Sequence, residues 1–139
     1  GESFPDRTFR MTSLWFLLAR AGLAALFIVA GIGKFTSIAG TAGMLAGKGF
    51  PQPMLFAYAV ATIELVGGLL VLIGIKARWA AVLLLLFTAG TILISHAFWT
   101  MDGAARAMNQ TQALKNLAIM GGLLLLAVVG PGRYSVDRT

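Results

Sequence analysis

Two charged residues stand inside otherwise apolar sequence, and they set the chemical question. Arg20 lies within the first apolar run. Glu64 lies within Ala59-Val60-Ala61-Thr62-Ile63-Glu64-Leu65-Val66-Gly67-Gly68-Leu69-Leu70, just ahead of a glycine pair. A charge at the centre of a spanning helix costs roughly 2.5–3.5 kcal/mol on insertion scales. Each therefore needs a counter-charge, a water-lined cavity or a ligand. At ~1.5 Å rise per residue, Arg20 falls about 13 Å in from Met11 and Glu64 about 16 Å in from Pro53, both near the middle of a ~30 Å core. An Arg20–Glu64 ion pair between the first two spans is the expected pairing.

A second polar group gathers toward one end of the spans: Lys34, His96, Lys115 and Asn116. With Glu64 below, these side chains are expected to enclose a polar cavity opening to the non-cytoplasmic face. Such a set can donate hydrogen bonds to a carbonyl ligand and relay protons through the carboxylate. Every member also has a plain structural role. A buried ion pair can fix helix register, lysines snorkel to head groups, and His96 can simply sit at the interface. Trp15, Trp79 and Trp99 suit an interfacial belt. No residue is assigned a catalytic role.

Of the 139 residues, 58% are hydrophobic and 12% charged, a composition of membrane proteins rather than soluble domains. Four apolar stretches, about 11–33, 53–74, 78–99 and 112–130, each approach the ~20 residues that cross a bilayer. They fill most of the chain, so an all-α membrane protein is expected: one domain, 1–139, built as a four-transmembrane-helix bundle. The net charge of +6 flanks the spans, where it sets topology and meets anionic lipid, and it does not point to nucleic acid. Cysteine is absent and histidine occurs once. Thiol exchange, thiolate metal sites and iron–sulfur clusters on this chain's own residues are excluded, as is bis-histidine haem ligation by this chain alone. No metal site is expected.

Along the chain, Gly1-Glu2-Ser3 reads equally as native or as an expression scar. The basic Arg7 and Arg10 before an apolar run suggest a signal peptide, but the run is long and contains Arg20, so a retained span is expected. Residues 37–48 are expected to form a short interfacial helix that 47–51 breaks. A Walker-type reading of Gly47-Lys48 fails, because Ala42 stands where the first glycine should be and Gly49 where Ser or Thr should be. Pro51 and Pro53 suit the start of the second span. There Ala57, Ala61, Glu64 and Gly68 form one stripe of small residues around the carboxylate, the face another helix would approach. A tight turn at 74–78 makes spans two and three antiparallel neighbours. Residues 100–111 are expected to be a loop. Arg7, Arg10, Lys76, Arg78, Arg133 and Arg138 gather on one side, which places both termini in the cytoplasm.

In their order, Arg20, Leu26-Phe27-Ile28-Val29-Ala30-Gly31-Ile32-Gly33-Lys34-Phe35, Gly49-Phe50-Pro51, Glu64-Leu65-Val66-Gly67-Gly68, His96, Lys115-Asn116-Leu117-Ala118 and the closing Tyr134-Ser135-Val136-Asp137 resemble the DoxX family. The resemblance implies a small four-helix protein of the bacterial inner membrane, from a family associated with quinone-linked redox systems and with redox partner proteins. It carries Arg20, Lys34, Glu64, His96, Lys115 and Asn116 over as a ligand-binding group. Two readings from different classes follow. In one, the chain is a quinone-binding subunit of an oxidoreductase assembly that takes electrons from a partner. In the other, it is a non-catalytic anchor or assembly subunit whose polar core fixes the fold. A small solute carrier ranks third, since no internal repeat is evident. Homo-oligomerisation is left open.

Overall fold

The computed structural model describes the backbone of residues 4–137 and the side chains of residues 12–137. Gly1-Glu2-Ser3, Arg138 and the side chains of Arg7 and Arg10 lie outside what is described. Five α-helices follow in order: α1 Phe4–Thr36, α2 Ile38–Gly47, α3 Pro53–Ile73, α4 Ala77–Ser95 and α5 Gly103–Val129, with a 3-10 turn at Phe98–Thr100 before the last. Four helices are long and apolar enough to cross a membrane. The short α2 is the helix expected within 37–48.

The starts and stops follow local chemistry. Pro53 occupies the first turn of α3, where its missing N–H costs nothing. Gly74 ends α3 in the left-handed region (φ 85°), donating its N–H to Leu70 O at 2.8 Å. Lys76 also takes a left-handed conformation (φ 50°) without being glycine. Its N–H donates to Asp137 Oδ2 at 2.5 Å, which holds the turn in place. The expected loop at 100–111 is largely helix, since α5 begins at Gly103. Ala104, Ala105, Ala107 and Met108 are strong helix formers, and their intrinsic preference outweighs the low hydropathy of the segment.

Small residues set the packing. A Cβ on Gly31 of α1 would stand 2.7 Å from Leu65 N of α3. One on Gly68 would stand 2.9 Å from Ile28 Cγ1 and 3.2 Å from Ala24 O. α1 and α3 therefore touch nearly backbone to backbone, as small-residue interfaces in lipid allow. The stripe Ala57, Ala61, Glu64 and Gly68 is buried as its spacing predicts. Gly67 faces Leu84 of α4, and the core closes through Ala24, Phe27, Val71, Ala80, Ala81, Leu84, Leu123 and Leu126. α4 packs broadly on α5, while α1 and α5 meet over only a short length.

The tail, 131–137, folds back over the α3–α4 turn. Val136 N donates to Ile73 O at 3.1 Å and Asp137 N to Gly74 O at 3.0 Å. This defines a tail end of the bundle, and α2 with the 3-10 turn marks the opposite, loop end.

Gly31→Ala should destabilise the detergent-solubilised protein by ~1–3 kcal/mol, because backbone cannot yield to the added methyl. Gly33→Ala, with open space around it, should leave stability within about 1 kcal/mol. Thermal unfolding of the two variants beside the parent checks the contrast; equal losses would contradict the α1–α3 register.

Candidate functional site

Glu64 is 4% exposed in the middle of α3, and its partner is Lys34 in the last turn of α1, whose Nζ meets Glu64 Oε1. The Lys34 side chain is 28% exposed, so the pair joins a buried carboxylate to an ammonium that reaches the edge of the bundle. Gly31, one turn before Lys34, makes this reach possible by bringing α1 onto the backbone beside Glu64.

Arg20 does something else. It is 2% exposed and donates to three carbonyls: Nη1 to Pro131 O at 2.5 Å, Nη2 to Leu72 O at 3.1 Å, and Nη2 also to Tyr134 O. The expected Arg20–Glu64 pair does not form. The α1–α3 contacts place Arg20 opposite Leu72, and the eight residues from Glu64 to Leu72 amount to about 12 Å of helix. Counting inward from Met11 misplaced Arg20, because α1 extends past the end of the other spans, which on that side lies at Gly74 and the tail. Arg20 satisfies helix-end carbonyls and the returning chain, a role suited to a cation at helix C-termini.

Two other cations act alike. Arg78 donates to Val128 O at 3.3 Å and Val129 O at 3.2 Å at the end of α5. Lys48 donates to Ile94 O at 3.0 Å at the end of α4.

At the loop end, His96 Nδ1 lies 2.9 Å from Asn109 Oδ1, and Asn109 Nδ2 donates to Ala105 O at 2.9 Å. That second bond orients the amide and leaves its Oδ1 toward the His96 ring. Asn116 Nδ2 donates to Thr91 Oγ1 at 3.2 Å, and Thr91 Oγ1 donates to Thr88 O at 2.7 Å. Thr88 is buried, its hydroxyl bonded to Leu84 O at 2.7 Å. Since Gly67 faces Leu84, one turn further along each antiparallel helix brings Glu64 and Thr88 to the same level. A polar layer thus crosses the bundle: Lys34 and Glu64 on one side, Thr88, Thr91 and Asn116 on the other.

Of the six sequence-derived candidates, Lys34 and Glu64 pair directly, while Asn116 and His96 join separate α4–α5 contacts. Lys115 is exposed, and Arg20 lies at the opposite end. A cleft lies at the tail end and is bordered by apolar residues and Arg20. Asn109 was missed, although its spacing of seven from Asn116 puts both on one face of α5. Among the described residues no cluster of metal-ligating side chains occurs.

The structure is thus a polytopic helical membrane protein with a charged pair buried between its first two spans. The chain belongs to the DoxX family, whose model matches residues 15–97. It is 44% identical to inner membrane protein YqjF of Escherichia coli K12 over 122 residues, covering 88% of each chain. It is 38% identical to inner membrane protein YphA of the same strain over 122 residues, covering 88% of this chain and 87% of that one. A Bacillus subtilis strain 168 protein named "Putative oxidoreductase CatD" is 39% identical over 77 residues, or 55% of this chain and 56% of its own. No solved structure matches.

In a double-mutant cycle, Lys34→Met and Glu64→Gln should show a coupling of ~1–3 kcal/mol, while Arg20→Met and Glu64→Gln should add to within ~0.5 kcal/mol. Unfolding free energies of the two cycles in one detergent check this. Strong Arg20–Glu64 coupling would contradict the observed pairing.

Proposed function

We propose that this chain is an inner-membrane subunit of a quinone-linked oxidoreductase assembly, binding a quinone head group at the polar layer around Glu64. The observation that carries the reading is the Lys34–Glu64 pair, which joins a buried carboxylate in the middle of α3 to a part-exposed lysine of α1. Intramembrane ionisable groups are functional candidates by default. The relatives named inner membrane proteins, and the partial relative named for oxidoreductase activity, support the location and the chemical class.

A quinone, when bound, supplies a two-electron, two-proton acceptor with two carbonyl oxygens. The residues fit that chemistry by donor type. Lys34, the Asn116 amide and the His96 ring are hydrogen-bond donors. Glu64 can hold or pass a proton while Lys34 neutralises its charge. With no cysteine and one histidine, electrons come from a partner redox protein. The cationic tail end, with Lys76, Arg78 and Arg133, supports cytoplasmic termini.

A second reading, a membrane anchor with a purely structural core, is favoured by one observation: Glu64 is neutralised by Lys34, and Arg20 is engaged by carbonyls. Quinone extraction and mass analysis of the gently purified parent, Glu64→Gln and His96→Ala proteins separates the two. The quinone reading expects quinone in the parent and about tenfold less in both folded variants. A parent free of quinone and unaffected by quinone analogues would leave the anchor reading.

A further inference from the structure

The cleft between α1 and α5 at the tail end has a volume of about 150 Å³ and is bordered by Phe16, Ala19, Arg20, Leu23, Leu125 and Gly130, among others. Phe16, Ala19 and Leu125 are exposed, so the cleft opens sideways to hydrocarbon. An apolar space of this size holds a group on the scale of a benzene ring, which is also a short run of acyl chain. Arg20 is the single charged residue in the lining. Its Nε is buried without a hydrogen-bond partner, although both Nη atoms are engaged, and among the described residues no carboxylate pairs with it.

Depth and charge narrow what fills the cleft. Leu72, Val129 and Gly130 mark the ends of α3 and α5, so the cleft sits at the level of the membrane border, where hydrocarbon gives way to the polar head-group region. The rim is cationic. A Cβ on Gly130 would stand 2.8 Å from Arg78 Nη2, which places that guanidinium beside the cleft mouth, and Lys76 lies in the adjoining turn. Basic pockets between spanning helices recognise anionic head groups.

We propose that this cleft binds one anionic glycerophospholipid: an acyl chain fills the space between Phe16, Leu23 and Leu125, and the phosphate meets Arg78 at the rim. The lipid completes the edge where α1 and α5 fail to pack. The site is separate from the polar layer and does not depend on the quinone reading.

The test titrates the full chain in nonionic detergent with dioleoyl-phosphatidylglycerol, dioleoyl-phosphatidylcholine or glycerol phosphate, reading bound lipid by native mass spectrometry and stability by thermal unfolding. Ala19→Leu and Leu125→Trp fill the cleft from exposed positions and leave the carbonyl bonds of Arg20 intact. The parent should bind one phosphatidylglycerol, about tenfold more tightly than phosphatidylcholine, and each filling variant should bind it about tenfold more weakly while unfolding at the parent's temperature without lipid. Equal affinity for the two lipids, unchanged affinity in both variants, or displacement by glycerol phosphate at comparable concentration would overturn the site.

Discussion

Gly31 lies against the backbone of Leu65, and the polar arrangement of the loop end follows from that contact. With any side chain at position 31, α1 would stand off from α3 and Lys34 would lose its line to Glu64. The carboxylate would then be an uncompensated charge at spanning depth, which low dielectric penalises heavily. The same approach sets the antiparallel register along the whole α1–α3 seam. Ala24 and Ile28 come to rest on Gly68, and Arg20 on Leu72. One missing side chain thus determines both where a negative charge is tolerated and which carbonyls a distant arginine can reach.

The second constraint is the backbone itself. In lipid, helix-end carbonyls lack the water that would satisfy them. Arg20, Arg78 and Lys48 each donate to such groups, on three different helix ends. Their charges are commonly read as topology signals, yet here the side chains also close the hydrogen bonding of the bundle. The polar layer is a different kind of arrangement, built from side chains that bond to one another or back along their own helices.

Much of this was legible in the sequence. Apolar length gave the spans, Pro53 and Gly74 bounded α3, and the spacing of Ala57, Ala61, Glu64 and Gly68 identified the face that packs on a neighbour. The pairing of Glu64 was not legible. Depth was reckoned from the apolar edge at Met11, whereas helix register is set by which small residues meet, a property of two helices jointly. The tail was likewise opaque: nothing in the types of Pro131 or Tyr134 signals that their carbonyls face an arginine more than a hundred residues earlier. The start of α5 was obscured because polarity suggested a loop where alanine-rich propensity favours helix. Asn109 could have been found from its heptad relation to Asn116.

The bonds of Arg20 to Pro131 and Tyr134 carry a consequence for the order of events in biogenesis. Synthesis runs from the amino terminus, so the arginine enters the membrane environment before the carbonyls that satisfy it have been translated. Until α3 brings Leu72 O it has none of its three acceptors, and through the insertion of α4 and α5 its remaining donors must be sheltered by water, lipid head groups or the insertion machinery. Leu72 O arrives with α3, but the other two of its three carbonyls are supplied only when residues 131–134 return across the α3–α4 turn. A ribosome that stops short of that tail would release four apolar helices with an arginine that has lost two of its three carbonyls, a distinction a membrane quality-control protease could act on.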